Sequence, residues 1–257
     1  MAGAASPARR FEGKTAIVTG AASGVGRATA VRLATEGARV ACLDVAAEEV
    51  QETAGALVTL GAMALAYRTD VTDEDEVNRT VDQVASALGR PSVLCNAAGI
   101  GMFAHTIDMP LSNWQRILAV NLTGPFLMSK AVLPHMLHPQ GGSVVNVTST
   151  SGLTGSAYAA AFCASNGGLV MLTKALAVEY AGRGVRVNAV APGGVGTPLV
   201  ANFDLPEGAD PKHLHRMMSR MGSCSPDQVA AAIAFLASEE SAHTTGAVLS
   251  VDGGITA

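Results

Sequence analysis

The stretch that decides the fold spans residues 14–44 and reads KTAIVTGAASGVGRATAVRLATEGARVACLD. Residues 15–19 form a short apolar run rich in strand formers, and residues 39–43 form a second run that closes on Asp44. Between them lies a glycine-rich turn, followed by apolar residues at helical spacing and by Gly37, which ends the helix. Strand, glycine turn, helix, strand and acid in this order predict a βαβ unit that binds a dinucleotide.

The glycines of this turn have mechanical roles. One makes the tight turn, one lets the backbone approach a pyrophosphate, and one lets the helix pack close to the strand. The helix N-terminus then presents free N–H groups and the positive end of its dipole to the phosphates. We therefore assign the cofactor contacts of this turn to Gly20, Ser23, Gly24, Val25 and Gly26.

Asp44 predicts which dinucleotide binds. It falls at the tip of the second strand, where a carboxylate can accept hydrogen bonds from both ribose hydroxyls and would repel a 2′-phosphate. No Arg or Lys lies between Thr19 and Gly26. We therefore expect NAD(H), not NADP(H).

Length and composition indicate a large α/β domain. The chain has 257 residues, of which 49% are hydrophobic, and no linker-like stretch divides it. The net charge of −4 gives no indication of nucleic-acid binding. No uninterrupted apolar run approaches the roughly 20 residues that span a bilayer, so we expect no membrane segment. Residues 1–10 lack an apolar region, so we interpret them as a disordered tail and expect a cytoplasmic protein.

The cysteines and histidines do not suggest a metal site. Cys42, Cys95, Cys163 and Cys224 are scattered without metal or disulfide spacing, and they fit free buried thiols in a reducing compartment. The sequence His213-x-His215 has metal-ligand spacing, but no third ligand is obvious, so we predict no metal.

Runs of apolar residues predict the remaining elements. We expect strands at residues 62–67, 92–96, 142–148, 186–191 and 247–251. We expect helices at residues 46–60, about 72–88, about 112–138, 157–181 and from 225 onward. Proposed N-caps are Thr72, Ser112 and Ser225, the last followed by Pro226 and Gln228. Strands alternating with helices predict a parallel sheet covered on both faces.

The pattern Thr19-Gly20-(x)3-Gly24-x-Gly26 resembles the short-chain dehydrogenase/reductase family. Asn96-Ala-Ala-Gly99 and Pro192-Gly193-(x)3-Thr197 resemble two further family signatures, and the resemblance covers about residues 11–256. It implies a single-domain, Rossmann-type, doubly wound parallel sheet of about seven strands with helices on both faces. It also implies an NAD(H)-dependent alcohol/carbonyl oxidoreductase.

The resemblance implies further site residues. Asn121 matches a helix asparagine whose backbone carbonyl holds a water of the proton relay in the family, and Asp70 matches an acid that holds the adenine amino group. Beyond the glycine turn and Asp44, the implied cofactor contacts are Asp70, Val71, Asn96, Ala97, Ala98, Gly99, Pro192, Gly193, Val195 and Thr197.

The chain departs from the family at its catalytic residues. The family needs a Ser, a Tyr thirteen residues later and a Lys four residues after that, and Ser149 fits the first position. Phe162 and Asn166 stand at the other two. A phenyl ring has no proton to give, and a neutral amide cannot lower a phenol pKa by its charge. We therefore expect impaired catalysis.

Three nearby side chains are alternative proton donors: Tyr158, one turn before Phe162 if the helix starts early, His105 on a loop, and Cys163. For each, a structural role is the better explanation. Two segments, residues 101–109 and 199–221, carry many apolar residues and suggest a substrate pocket with a lid around residues 197–222. The expected substrate is a small apolar alcohol or carbonyl compound.

Three functional interpretations remain open. The chain is an oxidoreductase with reduced or rerouted activity, a silent NAD(H)-binding scaffold or regulatory subunit, or an engineered inactivated variant of an active enzyme. The family implies a homotetramer, in which a silent subunit could also pair with an active paralogue.

Overall fold

The computed structural model describes residues 9–201, 203–219 and 221–257. Residues 1–8 of the expected tail therefore lie outside the described part of the chain. The two remaining tail residues are Arg9 and Arg10, and the guanidinium of Arg10 pairs with the carboxylate of Glu36 (2.6 Å). Residues 202 and 220 of the expected lid also lie outside the described residues.

Seven parallel strands form one sheet in the order β3-β2-β1-β4-β5-β6-β7. Their bounds are β1 Thr15–Thr19, β2 Arg39–Asp44, β3 Ala64–Arg68, β4 Pro91–Asn96, β5 Gly142–Val147, β6 Val185–Pro192 and β7 Val248–Val251. The strand order reverses between β1 and β4, and in doubly wound sheets a ligand binds at such a switch point, beyond the carboxyl ends of the strands. This is the predicted fold class.

Helices cover both faces of the sheet. Their bounds are α1 Gly24–Thr35, α2 Ala47–Thr59, α3 Glu74–Leu88, α4 Leu111–Leu118, α5 Gly124–Met136, α6 Ala160–Tyr180, α7 Pro198–Ala201 and α8 Pro226–Ala237. A π-helical turn, Ala119–Thr123, joins α4 to α5. Short 3₁₀ turns occur at Thr106–Asp108, Thr150–Gly152, Ala181–Arg183, Pro211–Met217 and Glu239–Ser241.

The first strand contributes to the core on both sides of the sheet. Ala16 and Val18 belong to a cluster with residues of α1, α2 and α8, whereas Ile17 belongs to a second cluster with residues of α3 and α5. Successive strand residues point to opposite faces, so a strand buried on both faces is apolar throughout. The three central residues of β1 are apolar, its two ends are threonines, and all five residues are buried.

Two predicted helix caps have different outcomes. Ser225 forms the full capping box with Gln228, as predicted. Thr72 is not a cap, because its hydroxyl donates to the carboxylate of Asp70 (2.7 Å), and the neighbouring Asp73 instead accepts from the backbone N–H of Glu76. Two adjacent residues with capping side chains compete for the position, and local contacts decide between them.

Two predicted helix boundaries are wrong. The helix expected from Ser112 begins one residue earlier, after Pro110, is interrupted by the π-helical turn and ends at Met136. The helix expected over residues 157–181 begins only at Ala160, because Tyr158 has a positive φ of 63° that an α-helix excludes. Tyr158 therefore does not share a helical face with Phe162.

Two helical stretches, Leu111–Met136 and Ala160–Arg183, have the length and composition of a membrane span, with mean hydropathies of 1.3 and 1.4. The sequence expectation, which counted only uninterrupted apolar runs, overlooked them. About half of each stretch is buried inside the protein, as expected for core helices.

All four cysteines are free thiols. Cys42 and Cys95 lie in β2 and β4, are fully buried, and have thiol pKa values raised to about 12 by burial. Cys163 and Cys224 are only half-buried, so the prediction of buried thiols is correct for two of the four.

Gly26 is the tightest contact between α1 and the turn after β1. A Cβ atom at this position would lie 2.1 Å from the carbonyl oxygen of Gly20, so Gly26→Ala should lower the free energy of unfolding by about 3 kcal/mol. Gly55→Ala is the matched control, because a Cβ there meets nothing within 4 Å and the helix gains about 0.5–1 kcal/mol. Urea unfolding of both variants measures the difference. Equal stability of the two would contradict the contact.

Candidate functional site

A cleft of about 710 Å³ opens at the carboxyl ends of the strands. The site residues predicted from the sequence line it, with three exceptions: Asn96, Asn121 and Asn166. The predicted residues along the cleft are Gly20, Ser23, Gly24, Val25, Gly26, Asp44, Asp70, Val71, Ala97, Ala98, Gly99, Ser149, Phe162, Pro192, Gly193, Val195 and Thr197. Residues from six different loops thus converge on one site.

The glycine turn has room for a diphosphate. Gly20 adopts a φ of 68°, and a Cβ there would lie 2.8 Å from the backbone of Ala98. Ser23 precedes α1 but makes no side-chain cap, so its hydroxyl leaves the first N–H groups of the helix open. Open N–H groups at a helix N-terminus favour an anion. The residues present therefore fit the pyrophosphate of a nicotinamide dinucleotide.

Asp44 is held by backbone donors at the end of β2. One carboxylate oxygen accepts from the N–H of Ala22 and the other from the N–H of Ala46, both at 3.1 Å. The first of these bonds ties the carboxylate to the glycine turn, which fixes the acid at the rim of the cleft beside that turn.

Asp70 follows β3 and is fixed in a similar way. Its Oδ1 accepts from the N–H of Thr72 (2.9 Å) and from the hydroxyl of Thr72 (2.7 Å). These hydrogen bonds are the main reason why the pKa of Asp70 is lowered, and the positive charges of Arg68 and Arg116 add to them. The side chain therefore presents a stable negative charge to the cleft.

Asn96 belongs to the support of the cleft. It is buried, and its amide nitrogen donates to Asn146 on the neighbouring strand (2.9 Å). The hydroxyl oxygen of Thr19 accepts from the N–H groups of both Ala97 and Ala98, each at 3.1 Å. This pair of bonds holds the loop after β4 against the end of β1, so the sequence Asn96-Ala-Ala-Gly99 both steadies the sheet and borders the cleft.

Ser149 follows β5 and faces the cleft. Its Oγ accepts from the N–H of Ser151 (3.1 Å), an arrangement that caps the short 3₁₀ turn. Because the oxygen serves as an acceptor there, the hydroxyl hydrogen is free to donate to a ligand oxygen.

Phe162 lies on the first turns of α6, and its ring packs against Phe203 of the lid. The two ring centroids are 5.5 Å apart in an edge-to-face arrangement. Phe203 in turn packs edge-to-face on Phe103, at 4.7 Å. A Cβ at Gly101 would lie 2.3 Å from Phe203 and 2.9 Å from Phe162, so the absence of a side chain there leaves room for the rings. We call Phe103, Phe162 and Phe203 the aromatic cluster.

Asn166 is directed along its own helix. It is 4% exposed, and its amide nitrogen donates to the carbonyl oxygen of Phe162 (2.9 Å). The hydroxyl of Ser165 donates to the same carbonyl (3.1 Å). Asn166 does not line the cleft, and its amide donor is used within the helix.

Asn121 lies in the π-helical turn and is 4% exposed. Its side chain holds the backbone of Ile100, because Oδ1 accepts from the Ile100 N–H (2.9 Å) and Nδ2 donates to the Ile100 carbonyl (2.8 Å). π-Helical turns frequently occur at functional sites. Here the observed side-chain role is to fix the loop after β4, and Asn121 does not itself border the cleft.

Tyr158 and His105, two of the alternative proton donors, pack against each other outside the cleft, with ring centroids 5.2 Å apart. Cys163 faces Ser156, whose N–H lies 3.4 Å from its sulfur. None of the three is among the described residues that line the cleft.

The charged residues of the cleft are confined to one part of it. Among the described lining residues, the ionisable side chains are Asp44, Asp70 and Arg116. Asp44 and Asp70 follow the neighbouring strands β2 and β3, and Arg116 acts on Asp70. The part around Phe162 contains hydroxyl groups and apolar side chains only.

Sequence reasoning missed several lining residues. Examples are Arg116, Thr148, Val45, Thr69 and Gly194. Most of them directly follow or precede a predicted residue at the carboxyl end of a strand. Because ligands bind at the carboxyl ends of the strands in such sheets, that position could have been used to predict them. Arg116 lies on α4, and no local sequence signal connects it with the cleft. Among the described residues, no group of three His, Cys, Asp or Glu side chains could hold a metal ion.

The sequence profile described as "Enoyl-(Acyl carrier protein) reductase" matches residues 20–256. The chain is 40% identical to a 3-oxoacyl-[acyl-carrier-protein] reductase of Thermotoga maritima, over 96% of this chain and 99% of the relative. It is 44% identical to a cis-4-hydroxycyclohexanecarboxylate dehydrogenase of Sinomonas cyclohexanicum, over 96% and 98% of the two chains. It is 40% identical to a D-threitol dehydrogenase of Mycolicibacterium smegmatis, over 96% and 94%.

A solved structure has the same fold. A short-chain type dehydrogenase/reductase from Mycobacterium marinum superposes with a TM-score of 0.87 at 34% identity, and the match covers 96% of this chain and 97% of that one. At this coverage the similarity includes both the cofactor half and the lid half of the chain.

Proposed function

The chain belongs to the short-chain dehydrogenase/reductase family of oxidoreductases, which use a nicotinamide cofactor, and we propose that it binds NAD(H) but turns over alcohols or ketones very slowly. One observation carries the proposal. Phe162 borders the cleft together with Ser149, and no described ionisable side chain lines that part of it.

The reaction needs two transfers. When bound, the nicotinamide ring supplies or accepts the hydride, and a proton must move on the substrate oxygen. Ser149 can donate a hydrogen bond to that oxygen and so orient and polarise it. The ring of Phe162 has no proton to exchange, and loss of a general acid typically costs about 10²–10⁴ in rate.

Asn166 strengthens this argument. A lysine at this position would act by its charge, because a nearby cation lowers the pKa of a phenol. Asn166 carries no charge, and its amide is bonded to the Phe162 carbonyl. Among the described lining residues, therefore, none near Phe162 replaces the tyrosine or the lysine that the family has at these two positions.

The substrate pocket that we infer is apolar. The side chains around the aromatic cluster suit a small apolar alcohol or carbonyl compound with one oxygen near Ser149. Two relatives are named as dehydrogenases of hydroxylated compounds, cis-4-hydroxycyclohexanecarboxylate and D-threitol, which supports the alcohol but not its apolar character. The described apolar residues of this part are Ile100, Phe103, Phe162, Leu199, Phe203, Leu214, Met217 and Met218.

A silent NAD(H)-binding subunit, acting as scaffold or regulator, is the second candidate. The aromatic cluster favours it, because Phe162 is engaged in packing with the lid residue Phe203. Such a chain binds cofactor but has no activity with any substrate, even after its catalytic residues are restored.

We infer a cytoplasmic protein from its thiols. All four cysteines are free, as is typical of proteins in a reducing compartment. Cell fractionation with thiol labelling tests this. Recovery of the chain from an oxidising compartment would contradict it.

The first prediction concerns the cofactor. NADH should bind and NADPH should bind much more weakly, because the carboxylate of Asp44 stands at the rim of the cleft beside the glycine turn. Asp44→Ala should reduce the difference in affinity between NADH and NADPH. Asp70→Asn, after the neighbouring strand β3, is the control and should leave that difference unchanged. Calorimetric titration of both cofactors measures this, and tighter binding of NADPH by the unmodified chain would refute the preference.

The second prediction concerns assembly. We infer a homotetramer of D2 symmetry, because exposed apolar side chains occur on α5 and α6 (Phe126, Met171) and at the far edge on α8 and β7 (Phe235, Leu249). Light scattering should give four times the chain mass of 26.0 kDa. Met171→Glu should weaken assembly, whereas Val58→Glu, at a similarly exposed site on α2, should not. A monomer at micromolar concentration would rule out the tetramer.

The third prediction concerns catalysis. Phe162→Tyr should recover only part of the activity, and Phe162→Tyr with Asn166→Lys should recover more than the sum, up to about 10²–10⁴-fold, because the lysine acts through the phenol. Phe103→Tyr is the control that adds a phenol elsewhere in the aromatic cluster. The measurement is a double-mutant cycle in kcat/KM with NAD(H) on a panel of alcohols and ketones.

Two outcomes would change the proposal. Fast turnover by the unmodified chain would show that another group passes the proton. A restored double variant that binds NADH but stays inactive on every substrate would favour the silent subunit.

A further inference from the structure

Tyr158 has an unusual backbone. Within the described residues it is the only non-glycine with a positive φ, 63°, and it lies just before α6. A tyrosine in this region is strained, and such strain persists only where surrounding contacts impose it. The contacts of Tyr158 therefore indicate what the strained geometry achieves.

The phenol of Tyr158 joins the turn before α6 to the lid. Its oxygen accepts from the N–H of Asp210 (3.0 Å) and is hydrogen-bonded to Nδ1 of His213 (2.9 Å). Both partners lie more than fifty residues further along the chain. The Asp210 side chain in turn accepts from the N–H of Lys212 (2.9 Å) and caps the 3₁₀ turn that carries His213.

The backbone of Tyr158 joins the same turn to a third segment. Its carbonyl accepts from the N–H of Ala104 (2.8 Å), and its ring packs edge-to-face on His105. Nε2 of His105 is hydrogen-bonded to the carbonyl of Glu207 in the lid (3.0 Å). Tyr158 thus lies at the centre of contacts that join three segments: residues 102–108, residues 156–159 and residues 203–217.

The same lid segment also covers the cleft. Phe203, Leu214 and Met217 border it, and Phe203 packs on Phe162. The contacts of Tyr158 fix the part of the lid between these lining residues, namely 207–213. Neither Tyr158 nor His213 borders the cleft, so the pair is not positioned to exchange a proton with a ligand there.

We propose that Tyr158 is a positioning residue that holds residues 203–217 of the lid closed over the apolar part of the cleft and so slows the release of bound cofactor. Its phenol hydrogen bonds are the means, and the strained backbone orients the phenol toward them. The part concerning release rests on the proposed binding of NAD(H), whereas the part concerning the lid does not.

Tyr158→Phe tests the lid directly. The variant keeps the ring and removes the acceptor for the Asp210 N–H, so amide hydrogen exchange in residues 204–215 should become about tenfold faster, measured by mass spectrometry without cofactor. Exchange in β1 and β4 should stay unchanged. Tyr180→Phe, the same chemical change at the other end of α6, should have no effect on the lid. Unchanged exchange in residues 204–215 would overturn the proposal.

His213→Ala removes the other partner of the Tyr158 hydrogen bond and leaves the turn before α6 unchanged. It should also speed exchange in this segment, and combining it with Tyr158→Phe should add less than the product of the two effects, because both remove the same contact. Fully multiplicative effects would show that the two side chains act separately. If Tyr158→Phe speeds exchange throughout the sheet, that variant is destabilised as a whole. In that case, exchange of residues 204–215 in His213→Ala tests the proposal.

The role in cofactor release is tested by the dissociation rate of NADH. Bound NADH is displaced by excess NAD⁺, and its fluorescence is followed in a stopped-flow fluorimeter. Dissociation from Tyr158→Phe should be several-fold faster than from the unmodified chain or from Tyr180→Phe. Equal dissociation rates with a faster-exchanging lid would overturn the role in release. If the unmodified chain does not bind NADH at all, the proposed function fails, and the exchange measurement still decides the role of Tyr158 in the lid.

Discussion

The close approach of Gly26 to the carbonyl of Gly20 is the contact on which the rest of the site depends. Since a Cβ would come within 2.1 Å of that oxygen, the first turn of α1 can pack directly on the end of β1 only with glycine there. This packing directs the open N–H groups of the helix toward the cleft. It also leaves Asp44 within hydrogen-bond distance of the turn, through Ala22. The geometry of the turn and the position of Asp44, on which the proposed diphosphate and ribose recognition rests, therefore follow from one backbone contact.

The two halves of the cleft have different chemical characters. Charged groups follow β2 and β3, where we propose that the ribose and the adenine bind, whereas the part near Phe162 is built from phenyl rings, aliphatic side chains and hydroxyl groups. An apolar environment excludes water and strengthens the hydrogen bond that Ser149 can offer. Near Phe162 the cleft therefore has a hydroxyl group that can orient a ligand oxygen, and no described ionisable side chain lines it there.

Much of the fold could be predicted from sequence because its signals are local. The strand over residues 15–19 and the capping box of Ser225 follow from residues close together in the chain, and both agree with the structure. Errors occurred where distant residues decide the outcome. The helix start at Ala160 depends on Tyr158, which is held by Ala104 and Asp210 from other loops. The position of Arg116 at the cleft depends on how α4 packs. Family resemblance predicted most of the residues that line the cleft, but not the contact between Phe162 and Phe203.

The two residues that we interpret as departures from the family, Phe162 and Asn166, also fit each other in the structure. A lysine in place of Asn166 would put a charge at a position that is 4% exposed, and such a charge is costly unless an anionic or polar partner compensates it. With phenylalanine at position 162, no phenol is available as that partner. The shorter amide avoids the cost, since it donates to the Phe162 carbonyl within its own helix. Once the phenol is absent, packing and desolvation therefore both favour the loss of the lysine, and the phenyl ring becomes a contact for the lid. The same reasoning implies that restoring only the lysine would leave a buried charge without a partner, so the lysine has to be restored together with the tyrosine.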